Sequence, residues 1–316
     1  MDCRTLLAQA PLLLMEGALG ERLKREFGLR TDGPAGMAGL VTSQAGRAAL
    51  SHLWGEYIQV ARKHNLPFLA TTPTRRADRH RLAAAGLPEQ VIEQNVRFLA
   101  SLRDASGVEM AAGGMVGCVG NAYTGEGALP FEEALAYHRW EVARFAQAGV
   151  DFFFAGLMPT LGEAMGMAVA LQETGLPFLI SFTVQADGRL IDGTPISQAI
   201  EHIDALTNAA AAGYMTNCVH PAIVAEALSH PFNQTPLVRE RFFGLQANAS
   251  PLAYQALDAS GTLFTSDPET LAEGMVHLAK AHGFRLFGGC CGTDARHLDA
   301  MASRLVAEMA HADGAL

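Results

Sequence analysis

Lysine is scarce in this chain: Lys24, Lys63 and Lys280 are the only ones among 316 residues. None falls at the end of a predicted strand, which removes a Schiff-base or amine nucleophile from consideration. Basic charge is short altogether. With 23 Lys and Arg against 32 Asp and Glu, the net charge is −9 and the isoelectric point is near 5.6. That balance excludes the basic groove nucleic acid requires. No apolar window reaches the length of a membrane span. The opening run Leu6 to Leu14 is broken by Gln9 and Pro11 and followed at once by Glu16. It therefore reads as leading into a first core strand rather than as a signal peptide. Cysteines number five, an odd count with two of them adjacent. No disulfide framework is expected, and a reducing, cytoplasmic setting is. No Pro/Ser-rich linker or low-complexity stretch divides the chain, so residues 1–316 are expected to form one domain.

What is present is apolar: hydrophobic residues make up 49% and charged ones 17%, enough for a large core. Short apolar runs alternate with longer amphipathic segments. The runs predict strands at Leu12–Met15, Phe68–Thr71, Glu109–Ala112, Phe152–Phe154, Phe178–Phe182, Tyr214–Thr216, Phe243–Leu245 and Leu286–Phe287. Helical patterns between them include Glu132–Gln147, Leu161–Glu173, Ser197–Ala212, Ala222–Ser229, Pro268–His282 and Asp294–Ala312. Eight units of roughly 40 residues fit an α/β (β/α)8 TIM barrel of one domain. A doubly wound open sheet alternates in the same way. The cysteines favour the barrel: Cys218 ends the sixth strand and Cys290 the eighth, and even-numbered strand ends gather at one mouth. The Gly-rich stretch Gly28–Gln44 is expected to be a mobile loop over that mouth.

The chemistry is concentrated in Gly288-Gly289-Cys290-Cys291-Gly292-Thr293 and in Asn217-Cys218-Val219-His220-Pro221. Three thiols at two strand ends suit a zinc ion whose fourth position stays open, a catalytic rather than a structural arrangement. Three thiolates make zinc a soft, weak Lewis acid, suited to lowering the pKa of an incoming thiol. Water activation is better served by His or carboxylate ligands. The bland alternative is that Cys290 and Cys291 are small core hydrophobes. The flanking glycines, which let backbone approach closely, and Thr293, placed to cap the next helix, favour the metal.

Other residues weigh less. Glu163 completes a Thr160-x-x-Glu163 capping box, with a buried acid as the alternative reading. His220 reads as a loop residue before Pro221, and His297 as a surface cap. Asn217 and Asn248 end strands and either hold a ligand or form turns. Arg75, Arg76, Arg79 and Arg81 read as a solvated helix face, with attraction of an anionic donor as the alternative. Phe152-Phe153-Phe154 is strand core. Cys3 and Cys118 lack a partner pattern, although Cys118 follows the third strand toward the mouth.

The sequence resembles the homocysteine S-methyltransferases over nearly its whole length. The resemblance is carried by Glu16-Gly17-Ala18, Ala148-Gly149-Val150-Asp151, Pro159 with Glu163-Ala164, Ser181-Phe182-Thr183, Asp192-Gly193-Thr194, Asn217-Cys218 with Pro221, Asn248, and Gly288–Thr293. It implies a zinc-dependent methyltransferase on a (β/α)8 barrel, with Cys218, Cys290 and Cys291 as metal ligands and catalytic residues. Homocysteine would bind zinc as its thiolate and attack the methyl of a sulfonium or ammonium donor. Glu16, Gly17, Thr72, Ser181, Asn217 and Asn248 are the implied substrate-binding residues. The implied partners are therefore a small thiol acceptor and a methyl donor, with no nucleic acid or membrane. S-methylmethionine, S-adenosylmethionine and betaine all remain open as donors, as does the oligomeric state.

Three departures bear on the acceptor. The family's Asp in the first strand turn is Glu16 here. The Glu-Thr pair that closes strand four and helps hold the homocysteine amino group is Gly156-Leu157. A Thr-Asn-Thr pattern after strand two is Thr71-Thr72-Pro73. Either the longer Glu16 reaches the ammonium, or the pocket takes a different thiol or selenol lacking an amino group. A non-catalytic zinc- or thiol-sensing barrel is the reading from another class.

Overall fold

Every predicted strand forms, and in sequence order. The structure, a computed structural model, describes residues 2–251 and 265–313. The strands are β1 (Leu13–Met15), β2 (Phe68–Thr71), β3 (Met110–Gly117), β4 (Phe152–Met158), β5 (Phe178–Phe182), β6 (Gly213–Val219), β7 (Phe242–Ala247) and β8 (Leu286–Gly289). They close in the order β1 to β8, with β1 also paired to β8, and every pairing is parallel. This is the (β/α)8 barrel, with helices on its outside.

Alternation along the strands sorts the core into two layers. Leu13, Met15, Leu69, Phe152, Phe154, Leu179, Met215, Phe243 and Leu286 form one buried cluster within the barrel, joined below by Leu6 and Leu7 of the helix Cys3–Gln9. Leu14, Phe68, Phe153, Ile180 and Phe287 belong to the larger cluster between strands and helices. The apolar start of the chain thus divides: its first part is a helix that plugs one end, and only Leu13–Met15 is strand.

Two segments differ from the sequence prediction for local reasons. β3 runs on to Gly117 instead of stopping at Ala112. Gly113 reads as a break, but a Cβ there would lie 2.5 Å from the Phe152 ring, so the glycine makes room for the barrel's aromatic filling. The helix predicted as Ser197–Ala212 is Ile196–Thr207, because Asn208 and Ala209 take left-handed backbone with φ of 52° and 54°. The stretch Gly28–Gln44 does lie at the mouth. It contains a short 3-10 turn, Ala38–Thr42, tied down by Asn95 Nδ2 donating to the Ala38 carbonyl at 2.9 Å.

Glu163 is only half a capping residue. Its N–H reaches Thr160 Oγ1, but its carboxylate does not return to cap. It is fully buried, accepts from Val119 N–H at 2.6 Å, and faces His138, whose other ring nitrogen meets Glu141 at 2.7 Å. Burial alone would lower the His138 pKa, but the two carboxylates outweigh it and raise it to about 9. Burial also raises Glu141. Both shifts mean the folded chain holds protons more tightly than the unfolded one. The His138 contribution is complete below its ordinary value of about 6.5 and is lost as pH rises through about 9. A thermal melt series should therefore show Tm falling by at least about 2–4 °C between pH 7 and 9.5. His138→Gln should flatten that slope; an unchanged slope would refute the assignment.

Candidate metal centre

The C-terminal ends of β1, β6, β7 and β8 build the site. Close approach comes from glycine. A Cβ on Gly289 would stand 2.8 Å from Thr293 Cβ and 3.2 Å from Gly17 Cα, and one on Gly288 would meet Met15 and Glu16. The cysteine turn is then pinned by backbone bonds: Cys290 N–H to Ala247 O at 2.7 Å, Ala249 N–H to Cys291 O at 2.9 Å, and Gly292 N–H to Glu21 Oε1 at 2.7 Å. Thr293 Oγ donates to the Cys290 carbonyl and accepts from Ala18 N–H, so it staples the turn to the segment that follows β1. The helix Ala295–Asp313 is capped instead by Asp294, which accepts from Arg296 N–H. His297, expected at the surface, is buried with its ring between Asp294 and the Ser266 carbonyl.

Cys218, Cys290 and Cys291 converge, with their sulfurs all within 4.8 Å of one another. Among the described residues they are the group of three or more potential ligands close enough to share an ion. His220 is not part of it; its Nδ1 accepts from Ala222 N–H at the start of the next helix. Cys3 lies in the helix at the opposite end, and Cys118 is buried with its thiol toward the Gly120 carbonyl, where burial pushes it up to about 11. One expectation is corrected: Cys218 and Cys290 are paired as a disulfide, with Cα atoms 5.4 Å apart, and only Cys291 of the three is free. Thiols near enough to share one ion are also near enough to bond to each other. Metal binding then requires the reduced form, since thiolates are the ligands.

Cys218 has left-handed backbone, φ 59°, at the end of β6. That breaks strand alternation and lets neighbouring Asn217 and Cys218 both face the mouth. Asn248 secures the turn by donating from Nδ2 to the Cys218 carbonyl at 2.8 Å. Ser181 donates to Asn217 Oδ1 at 2.5 Å, behind Asn217. Residues that hold a ligand's backbone typically change metal affinity about 10–100-fold when removed. Asn248→Ala should weaken zinc binding within that range in a chelator competition, with the fold retained by circular dichroism. Unchanged affinity would show that Asn248 does not position the cysteine.

A cavity of about 220 Å³ opens over the sulfurs. It is lined by Glu16, Gly17, Thr72, Asn217 and all three cysteines, together with residues the sequence did not single out: Glu21, Met37, Met115, Tyr123 and Gln246. Ser181 and Asn248 stand behind the wall. The Glu16 carboxylate accepts from Thr71 Oγ at 2.6 Å and from Thr71 N–H at 3.2 Å. Burial raises its pKa to about 7, with the Thr71 bonds opposing the rise. Thr72 Oγ accepts from Met115 N–H and pairs with Thr74 Oγ at 2.7 Å, bracing β2 against β3. The arginine cluster divides. Arg79 pairs with Glu89 and stacks on Trp140, Arg81 holds the carbonyls of Cys118 and Val119, and Arg75 lines the cavity.

The family described as homocysteine S-methyltransferase matches residues 13–305. The chain belongs to that family. It is similar to the homocysteine S-methyltransferase of Escherichia coli strain K12, 28% identical over 58% of this chain and 57% of that protein. It is also similar to the homocysteine S-methyltransferase YbgG of Bacillus subtilis strain 168, 26% identical over 58% of this chain and 56% of that protein. The matched stretch thus spans little more than half the length of these curated relatives. The fold matches crystal structures of the E. coli homocysteine methyltransferase MmuM. Its oxidized form gives a TM-score of 0.75 at 23% identity, covering 95% of this chain and 98% of that one. Its metallated form gives 0.74 at 22%, covering 95% and 99%.

The end of β4 is where the resemblance to the homocysteine S-methyltransferases leads one to expect a Glu-Thr pair and the chain has Gly156-Leu157. A Cβ on Gly156 would lie 2.8 Å from Met115 Cε, so the methionine occupies the space over the position where the resemblance places an acid. Leu157 beside it lines the cavity with left-handed backbone, φ 60°, at a register shift in β4. This wall is apolar, and among the described residues Glu16 and Glu21 are the carboxylates that line the cavity.

Proposed function

We propose that the protein is a zinc-dependent S-methyltransferase that moves a methyl group from a sulfonium or ammonium donor to homocysteine, giving methionine. The convergence of three sulfurs beneath an open cavity carries this reading. The donor set fits zinc: three soft thiolates from two strand ends, with room for a fourth ligand on the cavity side. When bound, zinc would hold the acceptor sulfur as a thiolate at neutral pH while leaving it nucleophilic. The chain's own part is to present the three thiolates, hold the acceptor's ammonium at Glu16, and align sulfur and methyl for in-line displacement. The thiols need a reducing compartment, which suits the cytoplasm.

The test uses reduced, zinc-loaded protein with homocysteine and, in turn, S-methylmethionine, S-adenosylmethionine and betaine. Methionine formation with one of them is the expected outcome. X-ray absorption at the zinc edge should show three sulfur neighbours becoming four on adding homocysteine. A site indifferent to homocysteine would sink the reading. The apolar Gly156–Leu157 wall favours one alternative, a thiol or selenol acceptor without an amino group. Turnover of 4-mercaptobutyrate in place of homocysteine would establish it.

A further inference from the structure

Among the described residues, Arg75 is the one cation lining the cavity over the sulfurs. It is half-buried, and among the described residues its guanidinium has no carboxylate or hydrogen-bond partner. Its neighbours Arg79 and Arg81 are both engaged. The two cavity acids are also engaged, Glu16 by Thr71 and Glu21 by the Gly292 N–H, so neither serves Arg75. Arg75 is nonetheless held in place. A Cβ on Gly117, the last residue of β3, would lie 2.5 Å from both Arg75 Cγ and the Arg75 carbonyl. The strand ends in glycine where the arginine stem crosses it. An unpaired guanidinium in a cavity that Met115 and Leu157 also line is a forked donor suited to an anion, and a carboxylate fits it with two parallel bonds.

We propose that Arg75 is the carboxylate-binding residue of this cavity, anchoring the α-carboxylate of a sulfur amino acid whose sulfur faces the cysteines. The inference rests on the methyltransferase reading for the nature of the ligand. The carboxylate belongs either to the acceptor or to the donor, since homocysteine and the candidate donors all carry one.

Methionine and 3-(methylthio)propylamine differ only in that carboxylate, and neither needs a thiol to bind. Calorimetric titration of the reduced, full-length protein should show methionine binding about 10–100-fold more tightly. Arg75→Met should bring methionine down to the amine, and Arg75→Lys should recover part of the difference, with unchanged melting temperatures. Methionine binding that ignores Arg75→Met, or that is undetectable in the wild type, overturns the proposal. Steady-state kinetics identify the source: a raised KM for homocysteine marks the acceptor's carboxylate, and a raised KM for the donor marks the donor's. Absence of any methyl transfer would count against the proposed function alone, because the titration is independent of turnover.

Discussion

Replacing Cys290 with alanine should abolish zinc retention and lower methyl transfer by on the order of 10³-fold or more, as expected when a group responsible for removing the acceptor's proton is lost. Cys290 lies at the centre of the arrangement: its sulfur contacts that of Cys218, and its backbone is fixed to β7 by the Ala247 bond and, through Thr293, to the segment after β1. Alanine keeps the turn's backbone and removes one ligand of three. Two thiolates and an open cavity hold zinc poorly, and an acceptor thiol would then have to ionise against its ordinary pKa near 8.5. Cys291→Ala should behave alike, although it leaves the Cys218–Cys290 pair untouched. Cys118→Ala and Cys3→Ala, remote from the cluster, should retain zinc and activity. Metal content after gel filtration and methionine formation by chromatography check all four. If Cys291→Ala kept its zinc, the vicinal pair would be packing residues after all.

The convergence of the three sulfurs was legible in the sequence, because Cys218 and the Cys290–Cys291 pair end even-numbered strands. The alternation of strands and helices was legible too, since each strand is a short apolar run and the periodicity changes between 2 and 3.6, but closure into a barrel was read from the cysteines that end β6 and β8. What escaped depends on contacts distant in sequence. Gly113 looks like a strand end until Phe152 is placed opposite it. Glu163 has the spacing of a cap, but His138, 25 residues away, and Val119 claim its carboxylate. His297 looks like a surface cap until Ser266 covers its ring. Arg75 sits in a run of arginines, and only the geometry separates it from those that pair or stack. The disulfide contact between Cys218 and Cys290 was hidden for a related reason: spacing shows that thiols converge, not how closely.

Glu16→Gln should raise KM for homocysteine about 10–100-fold, the worth of one charged hydrogen bond, while leaving 4-mercaptobutyrate unaffected. The two acceptors differ only in the ammonium, so the comparison isolates the role assigned to the carboxylate. A pH signature accompanies it. Burial holds Glu16 near 7, so below that value the acid is protonated and cannot pair with an ammonium. Homocysteine kcat/KM should fall by about tenfold per unit as pH drops below 7, and Glu16→Gln should lose this limb. A limb that persists in the variant belongs to another group and removes Glu16 from the ammonium site. Stability should move the opposite way. A carboxyl whose pKa is raised on folding favours the fold when protonated, and that advantage is lost as pH rises from about 4.5 to about 7. At pH 8 the ionised Glu16 costs roughly 3 kcal/mol on the scale of its shift, so the glutamine variant should be the more stable protein there. Thr71 supplies hydrogen bonds but no positive charge, and a neutral amide would fill the same space. A charge that the fold would be more stable without, placed at the edge of a cavity whose floor is three sulfurs, is explained by a cation that arrives with the substrate.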